Sequence, residues 1–211
     1  MNLDLYRDLS WLPRCPSNFN QECRATLESG SSFGAGIRQL ANHALDENQL
    51  IRLARTIVTG QQEDYPFAPL APFRLGLASN GTTEFIRDSI IATAARYGLA
   101  LSCNATGYDQ VLQDSLSPDS LLNRAAPHAV LIAVDWRGLQ LQPSPGDASA
   151  AKAAINAALD YLDTIRDAIR RNSGAVCVVQ NLAAPPEGTF GSLDRRLEGT
   201  LRYLIDGVNA G

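Results

Sequence analysis

Histidine and lysine are nearly absent from this chain: His43 and His128 are the two histidines, and Lys152 is the single lysine. So few histidines leave no visible base for a Ser–His pair and do not support a His-based metal centre. Every other cation among the 18 Lys and Arg residues is arginine, read here as codon bias. The basic residues form no stripe, and the formal charge is −4. The phosphate attraction that nucleic-acid binders depend on is therefore missing. Cys15, Cys23, Cys103 and Cys177 make no Cys-x-x-Cys pair, which points to free thiols in a reducing cytoplasm. No run approaches the roughly 18 apolar residues of a membrane span. The opening MNLDLYRDLSWL lacks the basic and apolar regions of a signal peptide. A cytoplasmic bacterial protein, with neither a nucleic acid nor a membrane as partner, is the expectation. GxGxxG and Gly-Lys-Ser/Thr are also absent, which excludes the common dinucleotide and P-loop fingerprints.

What is present is an ordinary globular composition, 45% apolar and 19% charged, in 211 residues. That suffices for one sizeable core and a small appendage. Residues 1–60 read as an N-terminal helical appendage. Asp46 and Gln49 form a capping box there, ahead of the apolar stripe Leu50, Leu53, Ala54, Ile57 and Val58. QQEDYPFAPLAPF, residues 61–73, carries three prolines and reads as a linker. From residue 74 to 211, short apolar runs at 73–78, 99–104, 128–135 and 175–180 alternate with helical patterns. The longest helix is expected over 148–171 and the last over 192–208. Apolar runs without alternation are the mark of strands buried on both faces. The expected fold is therefore α/β, a doubly wound parallel sheet with the helical appendage before it.

Ligands on such sheets sit at the carboxyl ends of the strands, near the point where strand order reverses. Four segments end there. Ser79-Asn80-Gly81-Thr82-Thr83 follows the first strand, and Tyr108 and Gln110 lie after the second. Asp135-Trp136-Arg137-Gly138 follows the third, and Gln180-Asn181 the fourth. The collection is polar and mostly uncharged, suited to hydrogen-bonded recognition of an oxyanion, phosphate or amide. Two readings stand side by side for the first turn. Its residues cap a helix, or they place backbone N–H groups around a ligand. Likewise Asp135 and Arg137 form either an ion pair beside an indole or part of a working site.

The phrases RLGLASNGTTEF, YGLALSCNATGYDQVLQDSLSPDS and NRAAPHAVLIAVDWRGL, with WLPRCPSNF and ALDENQLIRLARTI before them, together resemble the N-terminal region of FkbH-like proteins. The resemblance implies an SGNH-hydrolase-like domain of flavodoxin-like sheet order, joined in that family to a C-terminal phosphatase domain of the haloacid dehalogenase (HAD) superfamily. It also implies glyceryl or acyl transfer to an acyl carrier protein in polyketide-type biosynthesis. The phosphatase domain would bring magnesium and an Asp-x-Asp-x-Thr/Val motif. No such motif occurs here, so no cofactor is expected in this chain, which reads as the N-terminal part only. The Gly-Asp-Ser of SGNH hydrolases is replaced by Ser79-Asn80-Gly81, and their Gly-x-Asn-Asp by Asp135-Trp136-Arg137-Gly138. The late Asp-x-x-His block has no counterpart. A non-hydrolytic accessory domain is the expectation, with Asn80, Gly81, Tyr108, Gln110, Asp135, Arg137 and Asn181 binding ligand. The alternative is an esterase or acyltransferase using Ser79 or Thr82, with Asn80, the Gly81 N–H and Asn181 as oxyanion donors.

Overall fold

The computed structural model describes residues 9–186 and 188–211, without the side chain of Phe85. Most of the segment read against a signal peptide thus lies outside the described residues. Helices α1 (Phe19–Ser29), α2 (Phe33–Ala41) and α3 (Glu47–Gln62) come first. They are followed by β1 (Ala71–Ser79), α4 (Glu84–Arg96), β2 (Leu99–Ala105), α5 (Val111–Leu116), α6 (Leu121–Arg124) and β3 (Ala129–Ala133). α7 (Ala148–Ser173), β4 (Val176–Val179), a 3₁₀ turn (Gly191–Arg195) and α8 (Leu201–Ala210) complete the order.

The strands form one sheet of order β2-β1-β3-β4. β1 and β3 run parallel with Leu77 beside Leu131, and β3 and β4 run parallel with Leu131 beside Val178. β2 runs the same way: the Ala71 N–H reaches the Gly98 carbonyl at its start, and the Thr106 N–H reaches the Leu77 carbonyl at its end. The chain steps from β1 outward to β2, then returns past β1 to β3. With right-handed crossovers this reversal sends helices to both faces and opens a crevice between the carboxyl ends of β1 and β3. The fold is doubly wound α/β.

The chain divides into two compact units, Met1–Arg74 with Thr83–Cys103, and Leu75–Thr82 with Asn104–Gly211. In the first, Phe33, Ile37, Leu53 and Ile57 are fully buried. Tyr65 and Phe67 meet the Phe33 ring edge-on at 5.2 and 5.1 Å. The expected capping box forms: the Asp46 carboxylate accepts from the Gln49 N–H at 2.9 Å, and the Asp46 N–H donates to Gln49 Oε1 at 2.8 Å. In the second unit, Val130 and Ile132 of β3 pack among Ile165, Ile169, Leu204 and Ile205 of α7 and α8.

Two expectations needed correction. The pattern over 192–208 predicts one helix, but the structure breaks it into the 3₁₀ turn and α8. Gly199 adopts φ +78°, outside the helical region, and Thr200 restarts the ladder by accepting the Tyr203 N–H. β4 is apolar yet not covered on both faces. It is one of the two edge strands, and Val176, Val178 and Val179 are 66%, 51% and 45% exposed.

Candidate functional site

β1 ends at Ser79, paired with Ala133 of β3, so the next residues of each chain segment emerge side by side at the crevice. There Asn80 and Asp135 hold each other. Asn80 Nδ2 donates to Asp135 Oδ1 at 2.7 Å, and the Asp135 N–H donates to Asn80 Oδ1 at 2.9 Å. Only this orientation of the amide works, because the reverse would set oxygen against oxygen and N–H against N–H. The same carboxylate oxygen accepts the N–H groups of Arg137 and Gly138, each at 2.9 Å. The Arg137 guanidinium lies 3.5 Å from Oδ2 and stacks over the Trp136 ring at 4.2 Å. Leu139 and Leu141 N–H groups close the turn on the carbonyls of Asp135 and Trp136.

These contacts decide the protonation of Asp135. Burial alone would push its carboxyl up. The donors from Gly138, Asn80 and Arg137, with the guanidinium, outweigh that and hold it below the ordinary value of 3.8. Gly138 is where it is for want of room: a Cβ there would sit 2.7 Å from Asn80 Cγ and 2.7 Å from Val134 Cγ1.

The Ser79 turn is tied from the other side. Ser79 donates its N–H to Thr106 Oγ1 at 3.3 Å, and the Thr106 hydroxyl donates to the Ser79 carbonyl at 3.4 Å. Ser79 Oγ itself accepts the Gly81 N–H at 3.1 Å, stabilising the turn locally. Thr83, at the N-cap position of α4, makes no side-chain capping bond. Capping therefore does not account for this small-residue turn; its bonds organise the end of β1. Gly81 and Thr82 are exposed.

The remaining candidates divide. Asn181 is exposed just past β4 and shares an open groove of about 400 Å³ with Asp135, Trp136, Arg137 and Gln180. Tyr108, 78% exposed, and Gln110, also exposed, lie on the loop after β2. That loop is fixed by the Gly107 N–H on Asp114 Oδ2 at 2.8 Å. Among the described residues no hydrogen bond joins either side chain to the Asn80–Asp135 clasp. His128 precedes β3, at the opposite end of the strand, and His43 bonds the Leu40 carbonyl in the first unit. Among the described residues no group of three His, Cys, Asp or Glu is placed to hold a metal. Thr106, Trp136 and Gly138 complete the site; the sequence puts them in the strand-end segments without assigning them a part in binding. The signal for Gly138 was its position three residues after a strand-end Asp, where a carboxylate gathers backbone N–H groups.

A solved structure shares this architecture. It is the N-terminal part of the protein BF1531 from Bacteroides fragilis, containing a phosphatase domain complexed with Mg. The match has a TM-score of 0.61 at 14% identity and covers 79% of this chain. The likeness is one of fold. This chain spans 41% of the neighbour's length. No family model matches the sequence. Comparison with curated proteins returns no match. No helix among the described residues is long and apolar enough to cross a membrane.

Proposed function

We propose that this chain is a non-hydrolytic, SGNH-like binding domain of an FkbH-like protein, presenting an acyl or glyceryl thioester on a carrier protein to a partner phosphatase domain. The observation that carries this reading is the Asn80–Asp135 clasp at the crevice between β1 and β3. An acyl-transfer enzyme needs a nucleophile with a base beside it and free oxyanion donors. Here the Ser79 oxygen is occupied by the Gly81 N–H, and no histidine adjoins it. Asp135 is a poor general base, because a carboxyl held below its usual range gains little by taking a proton near neutral pH. The groove beyond the clasp offers amides and one guanidinium, which hold a carbonyl without attacking it.

Magnesium does not fit this set of residues. Asp135 Oδ1 already accepts three N–H groups, and a guanidinium faces its other oxygen, a surrounding that repels a cation. The metal chemistry of the proposal belongs to the partner domain, and this chain's residues bind, orient and shield.

Titration of the isotopically labelled chain with holo carrier protein tests the reading. Amide shifts should move at Asn80, Asp135–Gly138 and Asn181. A silent titration at these residues would remove the proposal, and thioester hydrolysis abolished by Ser79→Ala would replace it with the esterase.

A further inference from the structure

β4 ends the sheet with its outer side unpaired. In its ladder with β3, the Val176 N–H reaches the His128 carbonyl at 3.1 Å and the Gln180 N–H reaches the Ile132 carbonyl at 3.0 Å. Val176, Val178 and Gln180 thus turn their backbone groups inward. Cys177 and Val179 point their N–H and C=O groups away from the sheet, and among the described residues no backbone group of another element meets them. The opposite edge is guarded: Gln61 Nε2 donates to the Leu101 carbonyl of β2 at 3.0 Å. Val176-Cys177-Val178-Val179 carries none of the charges or prolines that keep an open edge from pairing. Its apolar surface continues inward, because Leu131, the β3 neighbour of Val178, is only half-buried.

We infer that this edge is a dimer interface, taken by β4 of a second copy of the chain running antiparallel across a two-fold axis at Val178. The register follows from the free groups. Cys177 of one copy lies opposite Val179 of the other, and the two exchange both of their N–H···O=C bonds. The charges beside the strand fit the same arrangement. Asp163 and Arg166 of α7 flank Val179, whereas Arg166 and Arg170 flank Val176 and Cys177. Setting Cys177 against Val179 of the second copy therefore brings Arg170 of each copy to Asp163 of the other. Within one chain the Arg166 guanidinium already serves two carboxylates, Asp163 at 2.8 Å and Asp167 at 3.2 Å. Arg170 is exposed and has no ion-pair partner among the described residues. Two acids on one arginine, beside an uncommitted arginine, are balanced when the strip meets its own reverse. A strand of an unrelated protein would satisfy the edge N–H and C=O groups but has no reason to carry that order of charge.

Sedimentation velocity on the whole chain, over a concentration series up to about 0.5 mM, should show a monomer–dimer equilibrium. Val178→Lys sets two ammonium groups against each other at the axis, and should leave a monomer with the melting temperature of the dilute unaltered chain. Arg170→Asp and Asp163→Arg should each weaken the dimer about tenfold or more. An equimolar mixture of those two variants should dimerise as tightly as the unaltered chain, since each altered side chain then faces its opposite charge in the other copy. A merely structural effect of either substitution would not be rescued by mixing. A chain that stays monomeric throughout overturns the interface and leaves the edge to a strand of another protein. A dimer untouched by Val178→Lys, or a mixture no tighter than its parts, overturns it equally.

Discussion

Asn80 and Asp135 illustrate how much one pair of short polar side chains settles. A half-buried carboxylate is tolerable only when its oxygens are satisfied, and here one oxygen takes three donors. The native carboxyl is lowered, so its contribution to stability is fully present above the ordinary value near 3.8 and is lost as pH falls through the native value. Asp135→Asn should therefore melt below the unaltered chain at neutral pH. The gap should narrow below pH ~4, which thermal scans across an acid series will show. Gly138→Ala presses a methyl into Asn80 and Val134, and chemical denaturation should register a loss of about 1–3 kcal/mol. The polar character of these turns was legible in the sequence, because Ser, Asn and Gly after an apolar run mark a strand end. The bonds themselves were not. Whether Ser79 Oγ caps a helix, attacks a substrate or accepts from Gly81 depends on tens of degrees of backbone, which composition does not encode.

At the level of elements, burial is not set by the hydrophobicity of a strand: of the two edge strands, β2 buries Ala100 and Leu101 while β4 leaves its valines open. Ile132 of β3 is fully buried beneath α7 and α8, while Val178 of β4 is 51% exposed. Ile132→Ala should cost about 2–5 kcal/mol by cavity formation, whereas Val178→Thr should fall within about 0.5 kcal/mol of zero, both measured by urea titration. The two strands look alike in sequence because an apolar run does not say which faces of a strand other elements will cover. The long helix was legible almost to its ends. Asp147 accepts the Ala150 N–H at 2.9 Å at its start, and Gly174 adopts φ +71° at its stop. The break before α8 was hidden, since Leu193, Leu197 and Leu201 keep helical spacing across it. Gly199 could be substituted only with strain: a Cβ there would overlap the Ser144 carbonyl.

For the whole molecule, the alternation of apolar runs with helical periods implied a parallel sheet, and crossover handedness limited its strand order to few choices. The order β2-β1-β3-β4 places the reversal between β1 and β3, where the strand-end polar residues gather. The sequence could name candidates on four loops. Only the fold distinguishes Asn80, Asp135, Arg137 and Asn181, which share bonds or a groove, from Tyr108 and Gln110, which stand on an exposed loop without a bond to the clasp. The reading as a binding domain depends on that rim being built as one unit across β1 and β3. A double-mutant cycle of Asn80→Ala and Asp135→Ala, each measured by chemical denaturation, tests this most directly. The account predicts that the second substitution costs about 1–2 kcal/mol less once the first is made. Strict additivity, to within about 0.3 kcal/mol, would mean that the two residues do not hold each other, and the rim described here would be contradicted.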